Sequence, residues 1–263
     1  MGNEKPNNAN KESLTPFVFQ QKDEADHMNQ KDQTDQRSFA PSGESFPLPG
    51  KEDYDREFER LQSLVNEQRK MGREIVVVMG LGFVGAVMAA VVADSTDRKT
   101  GEPKKFVIGM QRPSARSFWK IPLINRGISP VKAEDPDVEI LIKRCVTEKK
   151  NLIATYTYDA LKLADVVVVD VQCDFIKQEL GNCVTGRAEI KALEDSIRII
   201  AENIPPECLV LIETTVPPGT TEYIAYPAMK KIFRSRGIKK EPLLAHRQLR
   251  TRYARQGLCK INP

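Results

Sequence analysis

The sequence predicts an α/β fold built on a doubly wound parallel sheet, and three observations support it. From residue 74 onward, short β-branched runs alternate with segments of helical periodicity, which is the pattern of βαβ units. One of these runs, Val166–Val171, is apolar throughout, as expected of a strand that helices cover on both faces. A glycine-rich turn, Gly80–Gly85, joins the first predicted strand to the first predicted helix.

Two segments precede the predicted sheet. Residues 1–50 are rich in polar residues and proline and contain too few apolar residues to offset their ordering entropy, so we predict a disordered tail. Residues 51–72 contain a predicted amphipathic helix, docked on the body or on a partner. Its apolar positions at helical spacing are Tyr54, Phe58, Leu61, Leu64 and Val65.

Residues 73–246 hold the alternating elements. The predicted strands are Ile75–Met79, Phe106–Met110, Leu152–Thr155, Val166–Val171 and Leu209–Glu213. The predicted helical segments are Val84–Ala93, Asp135–Val146, Tyr158–Leu163, Arg187–Asn203 and Thr220–Arg234. One stretch, Ile75–Ala93, carries no charge over its length and has a membrane span as its alternative interpretation. Its clustered glycines favour a buried strand, a turn and a buried helix instead.

Charge and cysteine content exclude several classes of protein. Five cations without an acid lie in a basic tail, residues 247–263, and without them the formal net charge of +4 falls to −1. The rest of the chain therefore lacks the excess of positive charge typical of nucleic-acid-binding proteins, although a nucleic-acid binder that uses the basic tail remains an alternative. The cysteines lack CxxC spacing and matched histidines, which argues against a metal site and a disulfide framework and favours a reducing, cytoplasmic location. They are Cys145, Cys173, Cys183, Cys208 and Cys259.

The glycine turn predicts a dinucleotide site. In this context Gly80 permits a tight turn, Gly82 lets the backbone approach a pyrophosphate, and Gly85 lets the helix pack against the sheet. The alternative is a turn needed only for packing. At the end of the second strand, Gln111 could bind a ribose hydroxyl, and Arg112 could stack on adenine or meet a 2′-phosphate. These two residues are compatible with either NAD or NADP as the cofactor. The alternative is that both are solvent-exposed residues at the strand end without a role in binding.

A second turn follows the last predicted strand. The segment Glu213–Thr221 reads ETTVPPGTT, in which consecutive prolines fix the backbone and Gly219 and Thr220 start the next helix. Such a turn at the carboxyl end of a central strand lies on the crevice where these sheets bind ligands. An ordinary capped turn is the alternative.

Four motifs in order make the chain resemble the UDP-glucose/GDP-mannose dehydrogenase family. They are Val78–Ala89, Leu123–Pro130, Leu163–Gln172 and Ile212–Glu222. The resemblance spans roughly residues 73–246 and implies a Rossmann-like NAD-binding domain. It further implies that the C6 alcohol of a nucleotide sugar, a UDP-hexose or UDP-N-acetylhexosamine, is oxidised to a uronic acid for surface polysaccharide synthesis. For the full-length protein it implies a homodimer.

The resemblance also assigns roles to single residues. It places Thr215 near the nicotinamide, where it helps to position a catalytic water, and it places the strand end Val171–Cys173 along the cofactor. Here Gln172, Cys173 and Asp174 replace a small-and-proline run of the family. The predicted cofactor-binding residues are Gly80, Gly82, Phe83, Val84, Gly85, Gln111, Arg112, Gln172, Thr214 and Thr215.

The family's nucleophile is not expected within this sequence. In the family a cysteine thiolate captures the aldehyde, and a thioester is then hydrolysed; that cysteine lies in a glycine-rich segment that would fall beyond Pro263. After His246 the sequence departs from the family, and a single-base slip would restore the family's segment, so we expect a frameshift, a truncated cofactor-binding half and no turnover. A non-catalytic NAD-binding or regulatory module is the alternative function.

Overall fold

A computed structural model describes residues 36–133, 135–176 and 186–246. The first 35 residues of the predicted tail and the basic tail, residues 247–263, lie outside these described residues. Six parallel strands form the main sheet, in the order β10-β9-β6-β3-β4-β5. These strands are β3 (Glu74–Met79), β4 (Lys105–Met110), β5 (Leu152–Thr155), β6 (Val166–Val169), β9 (Leu209–Ile212) and β10 (Leu243–His246).

Helices cover both faces of this sheet, as the doubly wound fold predicts. The helices are α1 (Lys51–Lys70), α2 (Phe83–Asp94), α3 (Lys120–Asn125), α4 (Asp137–Lys143), α5 (Lys191–Asn203) and α6 (Tyr226–Ser235). Successive strand residues point to opposite faces, so Val77 packs with α1, α5 and α6, while Val76 and Val78 pack with α2 and α4. A 3₁₀ helix, Tyr158–Leu163, coincides with the predicted helical turn.

The predicted amphipathic helix corresponds to α1. Its residues Leu61 and Val65 are buried against the sheet. Acids in the first turn and bases in the last complement the helix dipole. The helix is therefore docked on the body of the chain.

The prediction of disorder as far as residue 50 is wrong for residues 36–50. A hairpin forms there from β1 (Arg37–Phe39) and β2 (Ser45–Pro47). Ser38 and Ala40 are buried, and Phe46 packs on the cluster of Trp119 and Leu123. Composition missed it because backbone pairing and a few contacts to a distant loop hold this segment, rather than a hydrophobic core of its own.

Several elements also differ in detail from prediction. The strand predicted to reach Val171 ends at Val169, because Asp170 begins the turn beside the glycine loop. The helix predicted from Arg187 begins at Lys191, since Arg187–Glu189 forms β8, which pairs antiparallel with β7 (Asp174–Ile176). The helices predicted at Asp135–Val146 and Thr220–Arg234 each include a π-helical turn, at Arg144–Glu148 and Thr221–Ala225.

The charge-free stretch Ile75–Ala93 divides into β3, the glycine turn and α2, so the membrane-span interpretation is wrong. Among the described helices, none combines the length and apolar character needed to cross a bilayer.

Candidate cofactor site

The candidate site lies where the strand order reverses. From β3 the chain passes to β4 on one side, and it later returns to place β6 on the other side. The turns after β3 and β6 must therefore diverge, which opens a crevice at the carboxyl edge of the sheet. The predicted residues all follow the ends of β3, β4, β6 and β9, and so they lie along this one edge.

Two glycines of the turn are required by the fold itself. Gly80 has φ +105°, and a Cβ there would lie 2.2 Å from the carbonyl oxygen of Asp170. A Cβ on Gly85 would lie 1.8 Å from the carbonyl oxygen of Gly80. The backbone atoms lie so close together here that neither position can carry a side chain. Gly80 and Gly85 thus allow β3, β6 and α2 to meet at the reversal point.

Gly82 differs from the other two. It is the N-terminal cap of α2 with φ −76°, which any residue can adopt, and a Cβ there would have no described atom within 4 Å. Gly82 has no side chain to cap this helix, and of the first-turn N–H groups, which have no intrahelical acceptor, that of Gly85 donates to the Asp170 carboxyl. Phe83 and Val84 beside it are 61% and 54% exposed. The open space at Gly82 and the N–H groups of Phe83 and Val84 fit a dinucleotide pyrophosphate at the helix N-terminus.

Gln111 bridges the glycine turn and the loop after β4. Its Oε1 accepts a hydrogen bond from the N–H of Leu81 at 2.9 Å, and its Nε2 donates to Ser117 Oγ at 3.3 Å. Ser117 Oγ in turn donates to the carbonyl oxygen of Arg112 at 3.1 Å. The side chain predicted to meet a ribose therefore also holds the turn in place, while Arg112 is exposed at the same edge.

Lys120 is a further charged group at the turn that the sequence interpretation missed. Its Nζ donates to the carbonyl oxygen of Leu81 at 2.9 Å. Burial lowers the pKa of this ammonium. In the sequence, the one indication of a role for Lys120 is its position shortly before the motif Leu123–Pro130. Its proximity to the glycine turn arises only in the fold, which brings α3 beside that turn.

Asp170 is the second missed group. The carboxyl is half-buried, and its pKa is raised by burial and by the negative charge of Glu213, against the lowering effect of a hydrogen bond from the Gly85 N–H. Asp170 could have been predicted as a site residue from the sequence, because it is an acid that directly follows the β-branched run of β6. Burial and the charge of Glu213 thus disfavour the ionised form of the carboxyl beside the glycine turn.

The residues predicted to face the reacting end lie after β6 and β9. Thr214 is buried and its Oγ1 donates to the carbonyl oxygen of Val171. Thr215 is exposed, as is Gln172, whose Nε2 donates to Asp174 Oδ1 at 2.7 Å. The structure therefore places these groups on the predicted edge, with Thr214 tying the two strand ends together.

The described cysteines lack the environment of a nucleophile. Cys145, Cys173 and Cys208 are free thiols. Burial is the first cause that raises the pKa of Cys145 to about 11 and that of Cys208 to about 12. Burial also raises the pKa of Cys173. All three thiols therefore stay protonated and weakly nucleophilic at neutral pH.

The fold and the glycine turn define a dinucleotide-binding domain of the Rossmann kind. The sequence model of the UDP-glucose/GDP-mannose dehydrogenase family, NAD binding domain, matches residues 74–241. The chain thus belongs to this family and contains its NAD-binding domain, with NAD as the cofactor.

Similar proteins carry names of the same kind. The NDP-N-acetyl-D-galactosaminuronic acid dehydrogenase of Methanosarcina mazei is 31% identical with a TM-score of 0.56, over 71% of this chain and 36% of that one. The GDP-mannose dehydrogenase of Pseudomonas aeruginosa, solved as a ternary complex, is 25% identical with a TM-score of 0.51, over 65% and 35%. The UDP-N-acetyl-D-mannosamine dehydrogenase of Pyrococcus horikoshii is 27% identical over 57% of this chain and 30% of its own length. The chain spans about a third of these relatives.

Proposed function

We propose that this chain is the NAD-binding half of a nucleotide-sugar dehydrogenase. The reaction is oxidation of the C6 alcohol of a UDP-hexose or UDP-N-acetylhexosamine to the uronic acid. Support comes from the family match and from the names of three similar proteins, all of which are dehydrogenases of nucleotide or N-acetyl sugars.

The observation that carries the proposal is the open space at Gly82, between two glycines that the fold itself requires. We assign the pyrophosphate to the N-terminus of α2, beside Gly82, Phe83 and Val84, and the adenosine to the side of Gln111 and Arg112. NAD, when bound, supplies the acceptor for the hydride that leaves the sugar.

On the other side of the reversal point we assign the nicotinamide half to Gln172, Thr214 and Thr215. Thr214 fixes the end of β9 to the segment after β6 through Val171. That contact leaves the exposed Thr215 hydroxyl at the crevice, where it can hold a water by hydrogen bonding. Its role is thus to orient water for the hydrolytic step.

The described thiols are protonated at neutral pH, so we propose that the nucleophile and most of the sugar site are supplied by residues other than those described. From the family resemblance, and not from these thiols, we further propose that this chain by itself is inactive and that the active enzyme is a homodimer. The cytoplasmic location stays a prediction from the sequence.

NADH titration tests the cofactor site. Gly82→Val should abolish binding, because its side chain would fill the pyrophosphate position, yet the fold should persist, since no described atom lies near that Cβ. Gly50→Val is the matched control: Gly50 is also a helix N-terminal cap, with φ −84°. Both variants share the small cost of replacing a capping glycine.

The proposal predicts NADH binding by the wild-type chain and by Gly50→Val, and loss of binding with retained melting temperature in Gly82→Val. Binding by Gly82→Val with wild-type affinity would show that the dinucleotide lies elsewhere. Reduction of NAD by this chain with UDP-sugars would contradict its assignment as an inactive half.

A further inference from the structure

The hairpin of β1 and β2 and the helix α1 precede the family match, which begins at residue 74. The segment from 36 to 73 therefore belongs to this chain's own N-terminal part rather than to the matched domain. The hairpin packs on the loop 112–119, which connects β4 to α3 on the side of the crevice proposed for the adenosine, and on α3 itself.

Ser38 makes the central contact of this packing. It is fully buried, and its Oγ donates to the carbonyl oxygen of Ala115 at 2.9 Å. The same oxygen accepts a hydrogen bond from the N–H of Trp119 at 3.1 Å. One hydroxyl thus satisfies two backbone groups of the same loop, on residues about 80 positions away in the sequence.

A second contact holds the hairpin against the C-terminal end of α3, the helix that follows this loop. Glu44 forms a two-pronged ion pair with Arg126, at 2.9 and 2.7 Å, and the guanidinium lies over the ring of Phe46. This pair is exposed, so it contributes less than the buried hydroxyl. The same hairpin therefore holds both the loop and the end of the helix that follows it.

The loop is linked to the glycine turn by a chain of hydrogen bonds. Ser114 and Ser117 share a hydrogen bond of 2.8 Å, Ser117 Oγ accepts from Gln111, and Gln111 accepts from the N–H of Leu81. The chain of contacts runs from the loop that Ser38 holds to the turn that approaches the pyrophosphate. A displacement of the loop would move Gln111 and release that N–H.

We propose that Ser38 is a positioning residue of the cofactor site, acting through the loop 112–119 and Gln111. The inference rests on the proposed placement of the adenosine on this side of the crevice. The N-terminal hairpin then sets the affinity for the adenosine half of the dinucleotide, although it lies outside the matched domain.

If Ser38 only stabilised the fold, loosening the N-terminal segment at another point should affect cofactor binding equally. The same N-terminal part is also fixed by Arg69 of α1, which donates to the carbonyl oxygen of Leu163 and to Asp165. Asp165 lies at the amino edge of the sheet, where it accepts from the N–H of Ile75. A variant at Arg69 therefore loosens the attachment of the extension at the edge opposite the cofactor crevice.

The test compares Ser38→Ala with Arg69→Met in the full chain, using NADH and ADP-ribose as probes. Trp119 is the sole tryptophan and lies in the clamped loop, so quenching of its emission follows binding. Ser38→Ala leaves the buried N–H of Trp119 and the carbonyl oxygen of Ala115 without their described partner and should raise both Kd values about tenfold. Arg69→Met should lower the melting temperature slightly and leave both Kd values unchanged.

Equal Kd values for Ser38→Ala and wild type, or equal losses in both variants, would overturn the inference. Where Ser38→Ala does not fold, Glu44→Gln on the exposed pair takes its place, with an expected rise of about twofold; an unchanged Kd there overturns it as well. A wild-type chain that binds no NADH would instead refute the proposed function, which distinguishes the two failures.

Discussion

The two sides of the strand reversal differ in how their polar groups are held. On the adenosine side, beside β3 and β4, Gln111 and Lys120 both bond to the backbone of Leu81 in the glycine turn. On the reacting side, after β6 and β9, Thr215 and Gln172 are exposed. The first side is thus held against the glycine turn, whereas on the second side the Thr215 hydroxyl has no hydrogen-bond partner among the described residues and Gln172 bonds only to the nearby Asp174.

This contrast indicates which part of the cofactor the described residues can recognise. A preorganised set of donors binds without a further ordering cost, whereas exposed side chains must be ordered when the ligand arrives. We therefore expect the adenosine and pyrophosphate to supply most of the affinity of this chain, and the nicotinamide to add little.

The largest effect is expected at the reversal point itself. Gly80→Ala combines a φ of +105° with a Cβ 2.2 Å from a backbone oxygen, so it should cost about 3 kcal/mol or more in unfolding free energy. Gly101→Ala shares the positive φ, +72°, but would meet no described atom within 4 Å, and should cost about 1 kcal/mol. Urea unfolding of both variants separates the steric clash from backbone strain. Equal costs would show that β3 and β6 do not meet this closely.

A smaller effect is expected from the two glutamines, which take the same substitution on opposite sides. Gln111→Leu removes the acceptor of the Leu81 N–H and should lower the unfolding free energy by about 1–2 kcal/mol and weaken ADP-ribose binding about tenfold. Gln172→Leu should change the unfolding free energy by less than about 0.5 kcal/mol and leave ADP-ribose binding unchanged. Calorimetric titration of both variants checks this. If Gln111→Leu and Gln172→Leu weakened ADP-ribose binding equally, the two sides of the crevice would not differ in how they bind the adenosine.

The smallest effect concerns the acid between the two sides. The pKa of Asp170 is raised in the folded chain, so its stabilising contribution is present below the ordinary pKa and is lost as the pH rises through the folded value. At neutral pH the carboxylate therefore destabilises the fold, and Asp170→Asn should raise the melting temperature there. The gain should shrink as the pH falls to about 4. A variant that is less stable than wild type at neutral pH would contradict this sign.

Much of this architecture could be predicted from the sequence. The runs Ile75–Met79 and Val166–Val171 and the turn at Gly80–Gly85 carry their own signal, because buried parallel strands are apolar throughout and the tight turn requires glycine. The strand Leu152–Thr155 was predicted with its observed bounds. These features depend on local sequence alone.

The parts that prediction missed depend on distant contacts. Ser38 looks like any serine of a polar tail until its hydroxyl meets Ala115 and Trp119. Lys120 becomes part of the site only because α3 folds back beside Leu81. Residues whose surroundings come from 40 to 80 positions away leave no pattern in their own segment.

The most direct test of the central claim is a comparison of NADH with its two halves, ADP-ribose and reduced nicotinamide mononucleotide, as ligands of the wild-type chain. We predict that ADP-ribose binds with a Kd within about threefold of that of NADH, because the adenosine side and the helix N-terminus supply the affinity. Reduced nicotinamide mononucleotide should show no measurable binding. Binding of the mononucleotide as tightly as NADH, or NADH binding without any affinity for ADP-ribose, would contradict the assignment of the preorganised side to the adenosine.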